Sequence, residues 1–193
     1  MTTLIVGLML FLGVHSVSIV NPAWRDAMVA RIGKGPWQGL YALIAAAGLA
    51  LIVYGYGLAR QDPVIVYIPP GWLRPLAWAL MIPVFPLFLA AYFPGRIKTA
   101  ARHPMLLATK LWALAHLMTN GTWADIALFG AVIVWAGMDR VSMKRRKPAE
   151  LPGARPSKWN DPVVLALGLG VYALMLGGAH LRLIGVPVGT PWG

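Results

Sequence analysis

The chain has 193 residues, of which 59% are hydrophobic and only 12% charged, with a mean hydropathy of +0.67 and a formal net charge of +11. A single soluble core of this length could not hide that much apolar surface, so the composition predicts an all-α, polytopic membrane bundle in contact with the lipid bilayer. Cysteine is absent, which excludes disulfides, iron–sulfur clusters and thiolate nucleophiles.

Residues 1–193 read as one transmembrane domain with about six spans, near 2–20, 37–59, 73–94, 104–119, 123–138 and 162–184. Two of these are short against the ~20 residues needed to cross ~30 Å of hydrocarbon. The first span opens Met1-Thr2-Thr3, with neither a basic leader nor a small-residue cleavage site, and reads as a retained helix rather than a signal peptide. It carries His15, with Ser16 and Ser18 close in sequence as hydrogen-bonding neighbours. Pro83 and Pro86 in "MIPVFPLF" remove helical donors and predict a kink in the third span.

The stretch "ARHPMLLATKLWALAHLMTNG" places Arg102, His103, Lys110 and His116 in and around an apolar helix that starts at Pro104. At ~100° and 1.5 Å per residue, Lys110 projects within ~20° of His103 and about 10 Å beyond it, whereas His116 is ~220° round the helix. An ammonium that deep is expensive, so Lys110 is expected to face the bundle interior and meet an anion, a carbonyl stack or water. Asn120-Gly121-Thr122 is a turn-forming triplet that predicts an antiparallel helical hairpin. In the last span, Gly168, Gly170, Gly177 and Gly178 read as sites of close helix packing, and His180 beside Arg182 as an interfacial residue.

Thirteen of the 17 basic residues fall in three loops: Arg25, Arg31 and Lys34; Arg96, Lys98 and Arg102; and Arg140, Lys144, Arg145, Arg146, Lys147, Arg155 and Lys158. The positive-inside rule puts these loops in the cytoplasm and both termini outside, as in a multi-pass bacterial inner-membrane protein. The proline-rich linker "MKRRKPAELPGARPSKWNDP" fits a solvated loop against anionic headgroups. The basic loops lack interleaved aromatics and any recognisable module, which argues against nucleic acid as a partner. No HExxH, Walker loop, GxSxG or helix-opening GxGxxG occurs, so the four histidines are the best ligand candidates. A lone intramembrane imidazole can also be a purely structural group bonded to a carbonyl.

The early His15-Ser16, the later Arg102-His103-Pro104, and Trp112-x-x-x-His116 followed by Asn120-Gly121 together resemble the NnrU family of bacterial membrane proteins and their relative zeta-carotene isomerase. The resemblance implies haem b as cofactor, with His15 and His116 as axial metal ligands. Depth along the spans does not choose between His116 and His103 as the second ligand, while the position of His103 beside Arg102 at the helix mouth, and the charge of Lys110, suit a propionate or a substrate headgroup. It also implies an accessory or redox role linked to nitrite and nitric-oxide metabolism in denitrification, or an isomerase-like reaction on a lipid-soluble substrate. The isomerase carries a cysteine three residues before its second histidine. This chain has Ala113 there, so a thiolate-switched reaction does not carry over. Arg-His-Pro before an apolar helix also opens the catalytic half of membrane methyltransferases that use S-adenosylmethionine. Their paired glutamates are reduced here to the single Glu150. A cofactor-free structural or assembly subunit is the third reading. The redox partner and the substrate are not legible in the sequence.

Overall fold

The computed structural model describes residues 1–146 and 153–188, so Lys147 and Glu150 of the basic linker lie outside the described residues. The described chain is helical, and among its residues the only β-type pairing is an isolated antiparallel bridge between Ile65 and Thr122. It divides into two compact units, Met1–Val66 with Thr122–Pro148, and Tyr67–Gly121 with Ala149–Gly193.

The first unit opens with α1 (Thr2–Val20), which ends where Asn21 caps α2 (Pro22–Ile32). The Asn21 side chain accepts from the Trp24 N–H at 2.9 Å, and Pro22 occupies the first turn, where no donor is lost. Gly33, at φ 89°, then turns the chain into α3 (Lys34–Ala59). Alpha-helices α1 and α3 pack along a glycine seam. A Cβ on Gly7 would lie 2.6 Å from the Ile52 nitrogen, one on Gly48 2.7 Å from the Phe11 nitrogen, and one on Gly55 2.4 Å from the Leu4 nitrogen. Only glycine allows the backbones so close. Around the seam, Leu4, Leu8, Ile52 and Ala124 form a buried core.

Later in the same unit Thr122 caps α8 (Trp123–Asp125), which runs through a π turn (Ile126–Gly130) into α9 (Ala131–Ser142). Thr122 and Asp125 make a reciprocal capping box, so the donors at the helix start are satisfied by side chains.

The second unit contains α4 (Leu73–Met81) and α5 (Val84–Ala90), separated at Ile82-Pro83, where the expected proline break occurs. Next come α6 (Arg96–Ala101), α7 (Pro104–Thr119), and α10 (Asn160–Leu174), which continues through a second π turn (Met175–Ala179) into α11 (His180–Ile184). Helix α5 packs on α7 and α10, with Val84, Leu87 and Ala108 buried. Of the four glycines read as packing sites, only Gly168 makes a close approach: its Cβ would lie 2.5 Å from the Pro86 nitrogen. Gly170, Gly177 and Gly178 have open space around them, and Gly178 instead serves a turn, at φ 112°.

Among the described residues, four helical segments are long and apolar enough to cross a membrane: Thr2–Val20, Lys34–Ala59, Leu73–Ala90 and Asn160–Ile184. They leave large apolar side chains such as Met9, Leu43, Val53 and Leu174 exposed, as lipid contact requires. The fourth and fifth expected spans fall short for separate reasons. Helix α7 has 16 residues, about 24 Å at 1.5 Å each, and carries Lys110. The segment after Thr122 carries Asp125 in its first turn and becomes polar again at Asp139 and Arg140.

Candidate functional site: two pinned imidazole clusters

In the first unit, His15 lies on α1 with its Nδ1 2.6 Å from the carbonyl oxygen of Phe11, one turn earlier. A carbonyl can only accept, so this nitrogen carries the proton and the neutral ring keeps its lone pair on Nε2. The ring sits among aromatics, with centres 4.3 Å from Phe11, 5.2 Å from Tyr41 of α3 and 5.9 Å from Trp135 of α9. Trp135 stands perpendicular to the imidazole, and its Nε1 is buried with no hydrogen-bond partner among the described residues. One turn beyond Trp135, buried Asp139 forms an ion pair with Arg146 and accepts from the Ser142 hydroxyl at 3.3 Å. Elsewhere in the unit, Asp125 accepts from the Thr122 N–H at 2.8 Å and from the Tyr56 hydroxyl at 2.5 Å.

In the second unit, α7 presents His116 in the same way. Its Nδ1 lies 2.8 Å from the Trp112 carbonyl oxygen, and the Trp112 ring centre is 5.0 Å away. The His116 carbonyl in turn accepts from both the backbone and the side-chain nitrogen of Asn120, at 2.9 and 3.0 Å, which closes the helix end. These bonds give His116 and Asn120 of the motif a local purpose, whereas the carbonyl at position 112 is one that any residue would supply. The His116 bond fixes the imidazole tautomer, and the Asn120 bonds end the helix that carries it.

His180 also belongs to this unit. Its ring centre is 6.5 Å from that of His116 with 34° between the planes, and its Nδ1 lies 2.7 Å from the Val186 carbonyl oxygen. The interfacial assignment therefore missed its neighbour. The available signal was Gly177-Gly178 just ahead of it: the positive φ of Gly178 sits inside a π turn, the kind of local irregularity often found at functional sites.

The other expected site residues are placed differently from the helical wheel. His103 caps α7 at φ −130° and ψ 67°, outside the helix, so the angular relation to Lys110 fails at its first residue. Arg102 is exposed at φ 58°, where an L side chain is strained. Lys110 is half-buried and makes no ion pair or hydrogen bond among the described residues. His15 and His116 fall in different units. No group of three or more His, Cys, Asp or Glu able to hold a metal ion occurs among the described residues.

The sequence model of the family described as NnrU protein matches residues 3–188, nearly the whole chain. No curated protein and no solved structure matches it.

Proposed function

The chain belongs to the NnrU protein family, and on that premise we propose that it is a multi-pass protein of the bacterial inner membrane that binds haem b through imidazole. Its role would lie in redox or nitrogen-oxide metabolism, or in an isomerase-like reaction on a lipid-soluble substrate. Six spans, both termini outside and three basic loops in the cytoplasm complete this reading, supported by the charge distribution.

The observation that carries it is the pinned tautomer of His116. A haem ligand must offer the iron a lone pair from a ring whose other nitrogen is anchored, and His116 has its Nδ1–H on the Trp112 carbonyl. His15, the second ligand that the likeness to zeta-carotene isomerase implies, is pinned the same way on Phe11. Each ring by itself has the chemistry of a haem ligand. When bound, haem b supplies a one-electron centre whose potential is tuned by its axial ligands and surroundings. The protein's part is to hold the proton on each Nδ1, to orient the rings, and to keep water from the imidazoles with the aromatic rings around them. Half-buried Lys110 and exposed Arg102 supply cations for propionates or headgroups.

Purification after expression with ample haem supply, followed by a visible spectrum, tests the reading. Low-spin Soret and α/β bands are expected in the wild type, with their loss in His116→Ala. A haem-free wild-type protein, or His116→Ala with an unchanged spectrum, would refute it.

A further inference from the structure

We infer that the apolar cavity at the Met1 end of α1 is a lipid site selective for a headgroup with a primary ammonium, that of phosphatidylethanolamine, with an acyl chain in the cavity and the ammonium on the Asp62 carboxylate. The site lies wholly in the first unit and is independent of the haem reading.

The cavity forms where the start of α1, the end of α3 and the start of α8 come together. It holds about 620 Å³, within the ~300–1,000 Å³ usual for ligand sites. Its walls include Ile5, Leu58, Ala59, Val64, Trp123 and Ala127, and among the described residues Asp62 is the only lining residue with a charged side chain. Ile5, Leu58, Val64 and Trp123 are also exposed, so the cavity opens onto apolar surface and suits an occupant that arrives from lipid. Trp123 stands at a helix end, the depth at which aromatic side chains meet lipid headgroups.

The chain just after Asp62 is held in place. The Trp123 N–H donates to the Val64 carbonyl at 3.0 Å, and Ile65 pairs with Thr122. Asp62 itself makes no ion pair or hydrogen bond among the described residues, although the chain has 17 lysines and arginines against 6 acidic residues. Arg60, the nearest cation in sequence, lies instead over the Tyr56 ring, 6.0 Å from its centre.

An unpaired carboxylate at an apolar cavity attracts a positive head and repels a net negative one such as phosphatidylglycerol. It also separates the two common zwitterionic heads. The primary ammonium of phosphatidylethanolamine brings N–H donors for the carboxylate oxygens, whereas the quaternary ammonium of phosphatidylcholine has the charge and no donor.

The test places full-length protein in phosphatidylcholine vesicles and adds phosphatidylethanolamine, phosphatidylcholine or phosphatidylglycerol with brominated acyl chains, which quench tryptophan fluorescence. Subtracting the signal of Trp123→Phe isolates Trp123 from the other tryptophans. Phosphatidylethanolamine is expected to reach half-maximal quenching at a mole fraction about threefold lower than phosphatidylcholine, the size of one solvent-exposed ion pair. Asp62→Asn is expected to erase that preference, and Asp62→Lys to transfer it to phosphatidylglycerol; both change an exposed loop residue and leave the helix packing intact. Equal quenching by the three lipids, a wild-type preference for phosphatidylglycerol, or a preference that survives Asp62→Asn would overturn the assignment. Absence of any quenching specific to Trp123 would overturn it as well.

Discussion

Asp139 in the first unit and Asn160 in the second are almost equally buried, 6% and 7% exposed, and each ties a helix end to neighbouring chain with different chemistry. Asp139 is a carboxylate held by the Arg146 guanidinium and the Ser142 hydroxyl. Asn160 is a neutral amide whose nitrogen donates to the carbonyls of Pro94 at 2.7 Å and Arg155 at 3.0 Å. The charged tie depends on one counter-ion, because an uncompensated carboxylate out of water is far costlier than an unpaired amide. The neutral tie spreads a smaller cost over two carbonyls. Each group thus has two partners, but in the first unit one of them is a counter-charge, and there three glycines also set the approach of α1 and α3.

The largest effect expected from this contrast is at Arg146. Arg146→Met keeps the stem and strips Asp139 of its counter-charge, at a cost of about 3 kcal/mol, the lower end for a broken buried pair since Arg146 retains some exposure. Thermal unfolding in detergent measures it, and a loss no larger than that of a neutral-amide variant would erase the distinction between the two ties.

A smaller effect is expected at the glycine seam. Gly55→Ala drives a Cβ to 2.4 Å from the Leu4 backbone nitrogen, where only a helix shift relieves the contact, whereas Gly57→Ala on the same helix meets nothing within 4 Å. Overpacking of this kind costs roughly 1–3 kcal/mol. Equal melting temperatures for the two alanine variants would show that α1 and α3 pack less tightly than the seam requires.

The smallest is at Asn160. Asn160→Leu leaves the Pro94 and Arg155 carbonyls without this donor and should cost about 1–2 kcal/mol. Faster amide exchange confined to residues near 94 and 155 and to the start of α10, with α1 and α3 unaffected, would locate the loss in the second unit. Exchange that rises equally in both units would mean that the tie is not local.

Local rules made much of the helix pattern legible. Pro22 and Pro104 start helices because a first-turn residue needs no N–H, Pro83 breaks one because an interior residue does, and Thr122 with Asp125 satisfies the donors of a new helix start. Each rule acts within a few residues of itself. The angular argument at Lys110 failed on the same ground: it assumed that His103 lay on the helix, whereas a capping residue has left helical geometry. The two π turns also escaped it: each contains glycine, Gly130 in one and Gly177-Gly178 in the other, but glycine only permits a shift of helix phase, whereas proline forces a break.

By itself the sequence determined the apolar helices, their breaks and caps, the membership of the NnrU family, and the histidines as the principal ligand candidates in a chain without cysteine. Those features follow from composition and short-range backbone chemistry. Only the tertiary structure decided which groups meet. It set His180 beside His116, wrapped His15 in the rings of Phe11, Tyr41 and Trp135, and buried Asp139 with Arg146. The distant pairings depend on the φ of one glycine, on a π turn and on which helix faces pack together, and a linear pattern of apolar and polar residues contains no term for the distance between residues far apart in the chain.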